Sequence, residues 1–145
     1  MDMWDYADQL GLTVVEHHGP HTSGYRPGDH SVHLRPGMRG RILQSVLAHE
    51  IAHHILGHLP TDSRPERARQ EAAANRWAAL HLIDPEAYAA AERARNGHTK
   101  SMAVDLHVAD ELVDVYQQHL ARIGDTVYVA PKMGAGQYDH RELIA

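Results

Sequence analysis

Apolar residues return at three- and four-residue spacing through Ile42, Leu43, Val46, Leu47, Ile51, Ile55 and Leu56, which predicts one long helix from about Arg39 to His58. A shorter pattern of the same kind over residues 4–10 (WDYADQL) offers Trp4, Tyr6 or Ala7, and Leu10 to a buried side, and Gly11 is placed to end it. Two short runs are of another kind: Thr13 to Glu16 (TVVE) reads as a short strand, and Ser31 to Leu34 (SVHL) alternates like a half-buried strand. Between them, Gly19 to Pro27 is rich in Gly, Pro, Ser and His without periodicity, and Pro27-Gly28-Asp29 is a turn signal. A small antiparallel sheet of two or three strands is expected.

After the long helix, Pro60 to Pro65 (PTDSRP) is a loop in which Asp62 or Ser63 can cap a helix from about Pro65 to Leu82. Asp84-Pro85 stops that helix and opens a short one to Arg95, and Asn96-Gly97 marks a loop. Ser101 to Val108 and Asp110 to Arg122 read as two further helices separated by a short turn. The tail over about 124–145 holds one strand-like piece, TVYVA, and is expected to be loose. The pattern as a whole is α+β: a single domain over 1–145, with a core over about 4–122 in which a small antiparallel sheet packs beside helices.

Composition narrows the chemistry. The chain has 145 residues, 43% hydrophobic and 23% charged, which is ordinary for a globular domain. It contains no cysteine, so disulfides and thiolate sites are excluded and any metal must be held by nitrogen and oxygen. The opening MDMWDYADQL carries acid where a secretory signal carries basic charge, and no run reaches the ~18 apolar residues of a membrane span. A cytoplasmic protein without membrane attachment is expected. A net charge of −5 argues against a general nucleic-acid footprint. Residues 101–122 have a helix-turn-helix look, but Asp105, Asp110, Glu111 and Asp114 argue against a basic recognition helix, so direct nucleic-acid binding is not expected.

The feature that carries chemistry is His49-Glu50-Ile51-Ala52-His53, an HExxH motif inside the long helix. Residues four apart lie one above the other on a helix face, so both imidazoles can point at a single ion. Glu50 is turned by about 100° and lies beside the ion, where it can take a proton from the attacking water and deliver it to the leaving amine. Ile51 and Ala52 face away, into the core. With 14 histidines in the chain, a shuffled sequence contains a bare HExxH roughly seven times in a hundred. The motif therefore needs its context: unbroken apolar periodicity, no Pro or Gly over residues 41–56, and a third ligand at a sensible distance.

Three protein ligands plus water is the catalytic zinc pattern. A histidine ten residues after His49, with glycine at the seventh place, would make a metzincin, but those positions are Leu59 and Leu56. The alternative is an acid on the following helix. Glu71 is the best placed, Glu66 competes from the helix entrance, and Asp62 is accounted for by capping. Asn75, four residues after Glu71, shares its face and can orient that carboxylate.

The runs SVLAHEIAHHILGH and EAAANRWAALHLI resemble the ImmA/IrrE family of metallopeptidases, whose members share a helix of LAHExxHxxLxH type and a second reading E-x-x-A-N-x-F/W-A-x-x-L-(M/I)-P. Glu71, Ala74, Asn75, Trp77, Ala78 and Ile83 match the second, with Trp77 where phenylalanine is common and Asp84 inserted before Pro85. YADQLGLTVV, SVHLRPGM and MAVDLHVADELVDVYQQHL extend the likeness over roughly residues 4–122. The resemblance implies a compact zincin with one zinc per chain on His49, His53 and Glu71, and Glu50 as general base. It also implies a phage, mobile-element or stress-operon setting and a helix-turn-helix repressor as the protein substrate. The competing expectation is a non-hydrolytic zinc-containing module that sequesters a regulator; Glu50, dispensable for binding metal, favours the enzyme.

Other histidines take plainer readings. His54 and His58 form a second i, i+4 pair and are expected to be solvated helix-face residues rather than a second site. His17, His18, His21, His30 and His33 are expected on loops and strand surface, with His33 near the cleft. Tyr116, His107, Tyr138 and His140 all qualify chemically as donors to a transition-state oxyanion. Trp77 and Tyr88 are expected in the core or at an interface.

Overall fold

In the computed structural model, which describes residues 2–16 and 24–126, the chain packs as two compact units, Met1–Ala78 and Ala79–Ala145. The first opens with helix α1 (Met3–Gln9), capped by the Asp2 carboxylate, which accepts from the Trp4 amide at 2.7 Å. Met3 and Ala7 are its buried residues, while Trp4, Tyr6 and Leu10 are half-buried. Gly11, at φ 75°, turns the chain out of the helix in a conformation that favours glycine.

Three strands follow: β1 (Thr13–Glu16), β2 (Gly24–Arg26) and β3 (Ser31–Leu34). They lie in the order β1-β3-β2, with β3 in the centre. The α+β class agrees with the pattern of the sequence, but the sheet is mixed. β2 pairs antiparallel to β3, as the short turn between them requires, whereas β1 pairs parallel to it. β1 lies on the side of β3 opposite β2. The three-residue β2 was hidden in a segment without periodicity, being too short to show one. Val32 and Leu34 of β3 are fully buried.

Helix α2 (Gly40–Ile55) lies next in the chain and packs against β2, β3 and α1. It is pinned to α1 by Gln44, whose side-chain oxygen accepts from the Met3 amide at 2.8 Å and whose amide donates to Asp2 at 3.1 Å. Its buried side consists of Leu47, Ala48, Ile51 and Ala52 together with Ser45, Glu50 and His53. The helix ends three residues before the expected His58, because Gly57 adopts φ 72° and closes it with a Schellman motif. The Gly57 amide donates to the His54 carbonyl and the His58 amide to the His53 carbonyl. Helix α3 (Arg64–Leu82) is capped by Ser63, whose hydroxyl accepts from the Glu66 amide at 3.2 Å. In the first unit it buries Ala74 and Ala78, and Trp77 stacks at 6.0 Å on Tyr6.

The second unit carries α4 (Pro85–Arg95), α5 (Thr99–Leu106) and α6 (Asp110–Thr126). Asp84 caps α4 by accepting from the Ala87 amide at 2.9 Å. Tyr88, Met102, Val108, Leu112, Val113 and Tyr116 form the apolar interior, and Arg95 grips Asp105 through two bonds of 2.8 and 2.9 Å. TVYVA and the tail beyond it fall, from residue 127 on, outside the described residues. No helix of the described residues is long and apolar enough to cross a membrane.

Leu47 is fully buried beneath the motif, whereas Leu59 is 65% exposed. Leu47→Ala is expected to destabilise the metal-free protein by about 2–5 kcal/mol and Leu59→Ala by less than about 0.5 kcal/mol. Urea unfolding midpoints measure both. Equal losses would contradict the placement of Leu47 in the interior.

Candidate metal centre

The helical repeat of α2 sets His49 above His53, with ring centroids 4.8 Å apart and planes at 85°. Their Nε2 atoms approach to 3.2 Å. From α3, the Glu71 carboxylate places Oε1 3.0 Å from the His49 Nε2 and Oε2 3.0 Å from the His53 Nε2. Bonds of 2.0–2.1 Å in a tetrahedron give ligand-to-ligand edges of about 3.3 Å, so the three donors already have the spacing of a zinc site. The N,N,O set is the composition of catalytic zinc centres in chains without thiols. The Glu71 side chain is 52% exposed, which leaves one side of the cluster open to water or substrate. Glu50 belongs to the same cluster, its carboxylate within 4.8 Å of the donor atoms of His49 and His53. The shorter contacts of Glu71 make it the better third donor.

Both imidazoles are oriented through their second nitrogen. His49 Nδ1 lies 2.7 Å from Asn75 Oδ1; since an amide oxygen only accepts, the ring carries its proton on Nδ1 and leaves the Nε2 lone pair for the cluster. Asn75 therefore contacts His49, not the Glu71 carboxylate that it was expected to orient. Both residues lie on one face of α3, but the amide is level with the ring. His53 Nδ1 lies 2.8 Å from His58 Nδ1. Burial, reinforced by His49 and His58 and opposed by Glu71, holds the His53 pKa below the usual imidazole value, which favours the uncharged ring that metal binding requires. Two lone pairs and a carboxylate converging on one point are satisfied by a cation. The residues present fit zinc.

Glu50 is only 7% exposed. Burial pushes its pKa up to about 7, with Glu71 adding to the rise, while His49 and the Tyr25 backbone N–H oppose it. A carboxyl poised near neutrality beside a metal cluster is matched to proton transfer. Tyr25, on the short strand β2, was not signalled by the sequence. Its hydroxyl is 2.8 Å from His54 Nδ1, and burial raises its pKa. It lines a cleft of about 310 Å³ with Glu50, His53, His58, Leu59 and Glu71.

The expected solvated pair of His54 and His58 is not found. The helix stops before His58, so the two share no face: His54 bonds Tyr25 and His58 bonds His53. Ile51 and Ala52 are fully buried, as expected. Glu66 is engaged by Arg69 at 2.7 Å. His33 is half-buried on β3, with Nε2 3.0 Å from the Ser31 hydroxyl. Among the oxyanion candidates, His107 caps α5 at φ 60°. Tyr116 is buried in the second unit against Tyr88, its pKa pushed up to about 12 by burial and by the Asp84 charge. Tyr138, His140, His17, His18 and His21 lie outside the described residues.

The chain matches the model of the IrrE N-terminal-like domain, a peptidase family, over residues 7–115. That span holds every residue of the cluster. No curated protein matches the chain.

The buried carboxyl makes the metal-free protein pH-sensitive in a defined direction. The unfolded chain releases the Glu50 proton near pH 4.5, the folded chain near 7. Stability is therefore full below the lower value and falls as pH rises through the upper one, by about 3 kcal/mol. Glu50→Gln is expected to flatten that decline. Urea midpoints of chelator-treated wild type and variant at about pH 5 and about pH 8 decide it; parallel declines would place the loss elsewhere.

Proposed function

The chain belongs to the IrrE N-terminal-like domain family and is a zinc-dependent metallopeptidase, and from that premise we propose that it cleaves a peptide bond in one specific partner protein, a helix-turn-helix repressor. The observation that carries the reading is the convergence of His49, His53 and Glu71 at 3.0–3.2 Å beside the buried carboxyl of Glu50. We assign the three as ligands of a single zinc and Glu50 as the general base. When bound, zinc acidifies water and polarises the scissile carbonyl.

The protein side of the reaction follows from the geometry. Glu50, with a pKa near the working pH, takes the proton of the attacking water and returns it to the departing amine. Asn75 and His58 keep the two imidazoles in the tautomer that presents Nε2. Among the described residues β2 is an edge strand, and its Gly24 and Tyr25 border the cleft. An extended peptide adding to that edge would be held by its main chain across the cluster. A repressor as substrate is supported by what the likeness to the ImmA/IrrE family implies, and a cytoplasmic location goes with that substrate. The activity is assigned to residues 1–145 as a single domain.

Purified wild type is expected to carry about one zinc per chain, and His49→Ala/His53→Ala none. Co-expressed with a helix-turn-helix repressor that is its substrate, wild type is expected to produce two fragments. Glu50→Gln, retaining its zinc, is expected to cleave about 100- to 10,000-fold more slowly. Undiminished cleavage by Glu50→Gln would remove it from the base role, whereas a stable uncleaved complex with wild type would favour sequestration.

A further inference from the structure

The geometry points to His58 as the residue that positions His53 for the metal, through a hydrogen bond built by the way helix α2 ends. This rests on the reading of His53 as a zinc ligand. In a Schellman motif the second residue past the helix cap returns beside the third residue before it, and the two side chains usually make an apolar contact. Here Leu56 is the cap, Gly57 takes the left-handed position at φ 72°, and His58 returns beside His53. The His58 amide donates to the His53 carbonyl at 2.9 Å. The customary apolar contact is replaced by two imidazoles with centroids 5.1 Å apart and Nδ1 atoms at 2.8 Å.

The direction of that bond follows from valence. A neutral ring offering Nε2 to a metal keeps its proton on Nδ1, so His53 donates and His58 Nδ1 accepts, carrying its own proton on Nε2. The bond selects the tautomer of His53 and fixes its rotation. A neutral ring in this place, like the Asn75 amide on His49, orients the ligand without adding negative charge to the centre. His58 is therefore a positioning residue whose partner is chosen by a glycine-ended helix.

The test compares His58→Leu with His58→Asn. Leucine supplies the apolar contact the motif ordinarily makes, so the turn is retained and the acceptor lost. Asparagine puts an oxygen where Nδ1 stood. Zinc affinity is measured by competition with a chromophoric chelator, and ligand geometry by the visible spectrum of the cobalt(II) form; circular dichroism of the metal-free proteins confirms folding. We expect His58→Leu to bind zinc about 10- to 100-fold more weakly with an altered cobalt spectrum, and His58→Asn to restore both. Wild-type affinity and spectrum in folded His58→Leu would overturn the inference, as would failure of folded His58→Asn to recover either. Absence of zinc uptake by wild type itself would overturn the metal reading beneath it, and the two failures are told apart by that control.

Discussion

Two imidazoles and a carboxylate brought to 3.0–3.2 Å of one another are the constraint around which the first unit is organised. The pair His49 and His53 needs an intact helical turn between them, which the burial of Ile51 and Ala52 beneath the same turn secures. Glu71 needs α3 to pass close enough for its carboxylate to span both rings. The loop from Gly57 to Ser63 makes that passage: the glycine stops α2 abruptly, and the Ser63 cap starts α3 one residue later.

The centre also sets a conflict between function and stability. A carboxyl suited to proton transfer at neutral pH must be removed from water, and Glu50 is buried against the edge of the sheet, with the Tyr25 amide as one of the few groups favouring its charge. The surrounding interior is small and tightly packed, with Ala48, Ala52, Ala74 and Ala78 all fully buried. Alanine at these places lets backbone and side chains pack closely around polar residues that contribute little cohesion of their own. Cohesion comes from Leu47, Ile51, Val32 and Leu34, and occupation of the cluster by a cation would offset part of the remaining cost.

Each of the two imidazoles is held at one remove by a residue of different origin. Asn75 comes from α3, one helical turn beyond Glu71, so a single helix supplies both a donor and the support for another donor. His58 comes from the turn that ends α2 itself. Rotation of either ring is thus opposed from outside the cluster, which keeps both Nε2 atoms aimed inward.

The sequence by itself determined what depends on local spacing. The i, i+4 pair, the helix under it, the following helix with Glu71, the boundary at Asp84-Pro85, the cap in the loop before α3, and the strands β1 and β3 all follow from periodicity and from residues acting within a few positions of themselves. Membership of a metallopeptidase family was visible for the same reason, because the motif is local. The tertiary structure decided what depends on meeting across the chain. Three residues of β2 carry no period, so neither the strand nor Tyr25 and its bond to His54 was legible, nor was the parallel pairing of β1 with β3. Asn75 was read toward its helical neighbour Glu71, yet it reaches His49, because the depth of a ring on a facing helix is set by packing and not by spacing. The role of His58 was hidden as well: the helix was read through Gly57 to residue 58, and that unbroken count placed the histidine on the wrong face. Local propensity specifies a side chain's direction along its own element; only the packing of one element on another specifies what it meets.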